Sequence, residues 1–83
     1  MVAEHTTRVN FLLPQDQPGT VRRVTPVDIH GDRYVDLLVA FDGEPDAPRG
    51  GRVSAAEVPS GLEPGDRVSV RFVMGVMVGV SRA

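Results

Sequence analysis

Apolar and polar side chains alternate along most of this chain, with the period of two that is typical of half-buried β-strands. The alternating stretches cover residues 8–13, 20–29, 34–41, 67–73 and 76–80, and a shorter one begins at residue 52. Within the third stretch, the predicted inward side chains are Val35, Leu37, Val39 and Phe41. The pattern therefore predicts an all-β fold.

Turn-forming residues separate these stretches. Gly31 follows His30 between two strand patterns, which predicts a tight hairpin turn. Pro26 interrupts the second stretch and is expected at an edge or a bulge, because proline cannot donate to a sheet ladder. Residues 14–19 are predicted to form a polar loop. Residues 42–51, rich in glycine and proline, are predicted to form a mobile loop.

One short helical turn is expected after the third predicted loop. Ser54 stands three residues before Glu57, the spacing of a helix N-cap followed by the acidic residue of a capping box. Pro59 limits the helix to about one turn. Together with the strands, this turn predicts a small five- to six-stranded barrel of OB-like or SH3-like type.

The size and composition agree with one small domain spanning residues 1–83. The chain has 83 residues, of which 15 are Val, a residue that packs well on a pleated sheet. No apolar run approaches the length of about 20 residues that a membrane helix needs. Residues 1–7 are expected to be disordered, and the absence of a secretion signal predicts a cytoplasmic protein.

Charge and residue usage exclude further classes of function. The net charge of −2 disfavours a nucleic-acid partner. The absence of Cys excludes disulfides, thiolate nucleophiles and cysteine-based metal sites. All nine basic residues are Arg, as is typical of a GC-rich bacterial genome.

Some apolar side chains remain after each strand has buried one face. They are Leu12, Leu38, Met74 or Met77, and Val73. An apolar outward face is commonly covered by self-association, which predicts a homo-oligomer and most simply a dimer. The alternative is that these side chains lie beneath the long loops of a monomer.

The densest group of polar residues is at the predicted hairpin turn, where Asp28, His30 and Asp32 lie within five positions. Two carboxylates beside an imidazole are the components of a general base with its orienting partner, or of a divalent metal site. The same residue types are also frequent in turns for conformational reasons alone. The sequence leaves both interpretations open.

The C-terminal half resembles a known family. Gly-Arg-Val-Ser-Ala-Ala-Glu at 51–57, Gly-Leu-Glu-Pro-Gly-Asp-Arg-Val at 61–68 and Val-Met-Val-Gly-Val at 76–80 are similar to the TOBE and molybdopterin-binding (Mop, molbindin) family of small OB-like barrels. The resemblance implies intertwined oligomers that bind molybdate or tungstate at subunit interfaces. The matching positions are Arg8, Asn10, Ser54 and Arg71. Phe-Val-Met-Gly at 72–75 replaces the family's polar Lys-Ala-Ser-Ser stretch.

The sequence thus predicts a non-catalytic binding domain, with a small oxyanion at an oligomer interface or a protein as its partner. No other cofactor and no metal are expected. Two alternatives belong to other classes: an accessory enzyme or small cyclase or isomerase that uses Asp28, His30 and Asp32, and a weak OB-type binder of single-stranded nucleic acid.

Overall fold

The computed structural model describes residues 13–83, which form one antiparallel sheet of five strands. The strands are β1 (Gln15–Ile29), β2 (Asp32–Phe41), β3 (Glu44–Ser54), β4 (Arg67–Val73) and β5 (Val76–Arg82). A 3₁₀ turn, Ala55–Glu57, follows β3. The strand order is β3-β2-β1-β4-β5. The all-β prediction and its single helical turn are confirmed. Residues 13–83 contain no helix long and apolar enough to cross a membrane.

The longest strand, β1, connects the two halves of the sheet. Its first residues, from Gln15 to Thr20, pair with β4, and its residues from Gly19 onward pair with β2. A Cβ atom on Gly19 would lie 2.7 Å from the side chain of Val39 and 2.9 Å from the carbonyl oxygen of Ala40. Only glycine therefore allows β1 and β2 to approach this closely where β1 changes partners.

The core lies on one face of this curved sheet. Its buried side chains are Val21, Leu37, Val39, Phe41, Val53, Leu62, Val68, Val70, Phe72 and Met77. The predicted inward face of residues 34–41 is confirmed, with Val35 half-buried and packed against the core. The rings of Phe41 and Phe72 pack at 5.4 Å between centroids, joining β2 to β4. The apolar residues that alternate along each strand thus pack together in one continuous layer.

The sheet is not closed into a barrel by a backbone ladder. Its edge strands, β3 and β5, are nevertheless in contact, with the Met77 side chain packed on Gly51. A Cβ atom on Gly51 would lie 2.7 Å from the sulfur of Met77, so the thioether occupies the space that a β3 side chain would take. The two edges therefore meet through the core.

Both predicted loops differ from the structure. Residues 42–51 form a turn at Asp42 and Gly43 and then the first eight residues of β3. Residues 15–19 belong to β1 rather than to a loop. Pro45 and Pro48 are tolerated because β3 is an edge strand, where one side of the backbone needs no ladder partner. The predicted strand at residues 8–13, except for Leu13, and the expectation of disorder at 1–7 lie outside the described residues.

The predictions for Pro26, for the first hairpin turn and for the Ser54 cap agree with the structure. Pro26 lies in the part of β1 that pairs only with β2, so its other side is an edge. His30 and Gly31 both have positive φ, of 51° and 87°, as a two-residue hairpin turn requires. The Ser54 hydroxyl accepts a hydrogen bond of 3.4 Å from the amide of Ala56, which caps the 3₁₀ turn. Within residues 13–83, Glu57 does not return the second hydrogen bond of a capping box.

Candidate functional site

A groove crosses the outer face of β1, β2 and β3, on the side of the sheet opposite the core. Its volume is about 460 Å³. Cross-strand neighbours line it in two adjacent rows, Arg23–Leu38–Gly50 and Thr25–Asp36–Arg52. We call this surface the β1–β3 groove.

One wall of the groove is a two-pronged ion pair. The Arg52 Nε and Nη2 atoms donate hydrogen bonds of 2.7 and 2.9 Å to the two carboxylate oxygens of Asp36. These bonds lower the pKa of Asp36 and raise the pKa of the Arg52 guanidinium. Both side chains are nearly half exposed, at 48% and 41%, so the pair contributes little to stability. Its effect is to hold the Arg52 guanidinium in one orientation across β2 and β3.

Arg23 differs from Arg52 because no carboxylate within residues 13–83 lies at ion-pair distance from it. Asp36 already neutralises Arg52. The net formal charge of the groove lining is therefore the positive charge of Arg23. Arg22 is also exposed but does not line the groove. The register between β1 and β2 shifts at this point, leaving Arg22 as the extra residue of a β-bulge.

The floor of the groove is apolar and open. Leu38 is half-buried between Arg23 and Gly50 in the same cross-strand row. A Cβ atom on Gly50 would make only ordinary contacts, 3.6 Å from the Leu37 carbonyl oxygen and 3.9 Å from Leu38. Packing does not require glycine at position 50. Because Gly50 has no side chain, the groove remains open toward the β3 edge.

The four positions carried over from the family resemblance are not gathered in this groove. Arg8 and Asn10 lie outside the described residues. Ser54 caps the 3₁₀ turn. Arg71 is exposed on β4, 3.7 Å from an oxygen of Asp16.

Arg71 lines a smaller groove of about 260 Å³ on the outer face of β1, β4 and β5. The other side chains around it are Asp16, Glu57, Ser69, Val80 and Ser81, and Gly79 completes the lining. Ser54 is absent from this lining. Two carboxylates beside Arg71 make this smaller groove a poorer anion site than the β1–β3 groove.

The candidate catalytic group, Asp28, His30 and Asp32, lies at the β1–β2 hairpin, and all three residues are exposed. Asp28 is opposite Arg33 in the ladder, and Asp32 is opposite Ile29. Residues 13–83 contain no group of three or more metal-ligating side chains. Such groups work best as acids or bases where the surrounding protein excludes water. The exposed tip of the hairpin has no wall that does so.

Aromatic side chains are scarce on the outer surface. Phe41 and Phe72 are buried in the core, and Phe11 lies outside the described residues. Tyr34 is half-buried, two positions from Asp36 on the same face of β2. A stacking surface for several bases is therefore not formed by residues 13–83.

Sequence reasoning identified Leu38 as an outward apolar residue but missed Arg23 and Gly50 as parts of one surface. Strand alternation predicts that Arg22 and Arg23 point to opposite faces, so that at most one of them joins any patch. The bulge interrupts that alternation: both arginines are exposed, and Arg23 lines the groove whereas Arg22 does not. The sequence pattern places Gly50 in a predicted loop. Its role follows from β3 pairing, which places it opposite Leu38.

Comparison with protein families, with curated proteins and with solved structures gives no significant match to this chain. The similarity to TOBE and Mop domains therefore stands on the quoted residues alone.

Proposed function

We propose that this protein is a non-catalytic binding domain of OB type that binds an anionic ligand in the β1–β3 groove. The OB fold is a five-stranded, partly open barrel that uses the face of its second and third strands for binding. Three features support this type: β1 pairs with both β2 and β4, a helical turn connects β3 to β4, and the β3 and β5 edges meet at Gly51 and Met77.

The observation that carries the proposal is the guanidinium of Arg23, which no carboxylate of residues 13–83 neutralises, beside an open apolar floor. A guanidinium binds carboxylates and other oxyanions through two parallel hydrogen bonds. Thr25 lies one row away and supplies a hydroxyl donor. The Asp36 carboxylate is held by Arg52 through two hydrogen bonds, so its charge is matched within the groove wall.

The proposal is tested by thermal unfolding in the presence of molybdate, tungstate, sulfate, phosphate and small carboxylates. A ligand at one hundred times its Kd adds about 2.7 kcal/mol to the free energy of unfolding, which raises Tm measurably. The Arg23→Gln variant is expected to lose this shift, whereas Arg22→Gln, its neighbour outside the groove, keeps it. The proposal is wrong if no anion raises Tm, or if both variants lose the shift equally.

A second surface favours self-association. Val73, Met74, Val76 and Val78, at the tip of the β4–β5 hairpin, are 38–77% exposed, with Met74 the most exposed. Met77, by contrast, is buried. We propose that two copies of the chain meet at this tip, since each contributes the same uncharged surface.

Light scattering tests this association. The wild type is expected at twice the 8.9 kDa chain mass, and Met74→Asn at the mass of one chain. His30→Asn is the matched control, because His30 also has positive φ before a glycine in a two-residue turn. A monomeric wild type would refute the association.

A further inference from the structure

The β1–β3 groove has properties that narrow the class of anion it binds. Resting on the proposed function, we infer that its ligand is an organic monocarboxylate with an extended apolar body, rather than a small inorganic oxyanion. The inference depends on the volume, charge and floor of the groove.

The volume of the groove exceeds what a small oxyanion needs. Its volume of about 460 Å³ is many times the liquid volume of one water molecule, about 30 Å³. Pockets for organic ligands commonly begin at about 300 Å³. A tetrahedral oxyanion bound to Arg23 would leave most of this space to water.

The charge of the groove matches a single negative charge. Arg52 uses its Nε and Nη2 atoms to hold Asp36, whose carboxylate neutralises its charge. Arg23 is then the one guanidinium of the groove lining whose charge no carboxylate of residues 13–83 matches. A dianion such as sulfate would keep an unmatched negative charge close to the Asp36 carboxylate, whereas a carboxylate is neutralised by one guanidinium.

The floor provides a place for an apolar body. Leu38 and Gly50 follow Arg23 in one row across the strands. Neighbouring strands are about 4.8 Å apart, so the row from β1 to β3 is about 10 Å long. A carboxylate held at Arg23 would place a chain of about six to eight carbons over Leu38 and Gly50. Burial of that chain favours binding in proportion to the apolar area covered.

The inference is tested by measuring Kd values from NMR titrations of the full chain with acetate, butanoate, hexanoate, sulfate and phosphate. Hexanoate is expected to bind at least about tenfold more tightly than acetate, because four methylene groups are partly buried. Gly50→Val narrows the floor and is expected to weaken the binding of hexanoate while leaving the binding of acetate unchanged. Arg23→Gln is expected to weaken the binding of every carboxylate, whereas Arg22→Gln is expected to weaken the binding of none.

The outcomes separate this inference from the proposed function. If sulfate or phosphate binds as tightly as hexanoate and depends on Arg23, the groove binds anions but the inferred ligand class is wrong. If hexanoate binds equally well to Arg23→Gln, it adsorbs through its apolar chain and the inference is also wrong. If no anion shifts the NMR signals of the residues that line the groove, both the inference and the proposed function fail.

Discussion

Two adjacent glycines in β3 differ in the space available for a side chain. Gly51 faces the core, where a Cβ atom would lie 2.7 Å from the Met77 sulfur, while a Cβ atom on Gly50 would meet no atom closer than 3.6 Å. We expect Gly51→Ala to lower the free energy of unfolding by about 1–3 kcal/mol, since overpacking displaces Met77. Gly50→Ala is expected to change it by less than about 0.5 kcal/mol. Urea unfolding of both variants checks this, and equal losses would contradict the assigned contacts.

Three partly or fully exposed carboxylates make stability depend on pH. Hydrogen bonds from Arg52 lower the pKa of Asp36, and hydrogen bonds from Arg67 lower the pKa of Asp42. The Glu63 amide, and then Arg82, lower the pKa of Asp66. Because each folded pKa lies below the unfolded value of about 4, the stabilisation is complete above that value and is lost as the pH falls through the folded pKa.

The pH dependence is measured by urea unfolding between pH 7 and pH 2. The wild type is expected to lose stability steadily below about pH 4. Asp66→Ala is expected to be less stable at pH 7 and to show a shallower acid dependence, because its Oδ2 atom no longer accepts from the Glu63 amide. A wild type whose urea midpoint stays constant from pH 5 to pH 2 would contradict the assignment.

At the level of elements, the β1–β2 and β4–β5 hairpins end in the same kind of turn. His30–Gly31 and Met74–Gly75 both have two consecutive residues with positive φ. Asparagine is the residue best suited to the first position of such a turn. His30→Asn is therefore expected to keep or raise Tm and to leave anion binding unchanged. Loss of binding in this variant, with the fold intact, would instead support a site at Asp28, His30 and Asp32.

The sequence predicted those elements whose local signals agree with their tertiary setting. Alternation located β2 and β4, and Gly31 located the first hairpin turn. Alternation failed for β3, because Pro45, Pro48 and the two glycines are typical of loops and become compatible with a strand only at the sheet edge. The pairing of residues 15–19 with β4 is equally nonlocal, and no pattern within the segment indicates it.

The candidate site was less predictable than the fold for the same reason. Arg23, Leu38 and Gly50 come from three strands and become neighbours only through the ladder register. The bulge at Arg22 changes the face on which later β1 residues lie. A one-residue change of register moves every following side chain to the opposite face, so this surface depends on a feature that the sequence pattern does not reveal.

For the molecule as a whole, the apolar tip of β4–β5 and the β1–β3 groove are separate surfaces, for which we propose separate roles. The tip is uncharged and has exposed Val76 and Met74, whereas the groove combines Arg23 with the fixed Asp36–Arg52 pair. Binding in the groove and association at the tip are therefore expected to respond to different substitutions. Met74→Asn is expected to leave the affinity for hexanoate unchanged.

Mapping the backbone amide signals that shift when hexanoate is added locates the binding surface on the folded chain. The largest shifts are expected at residues 23, 25, 38 and 50, and Arg23→Gln is expected to abolish them. Shifts centred on the β1–β2 turn, on Arg71 and its neighbouring serines, or on no part of the chain would contradict ligand binding in the β1–β3 groove.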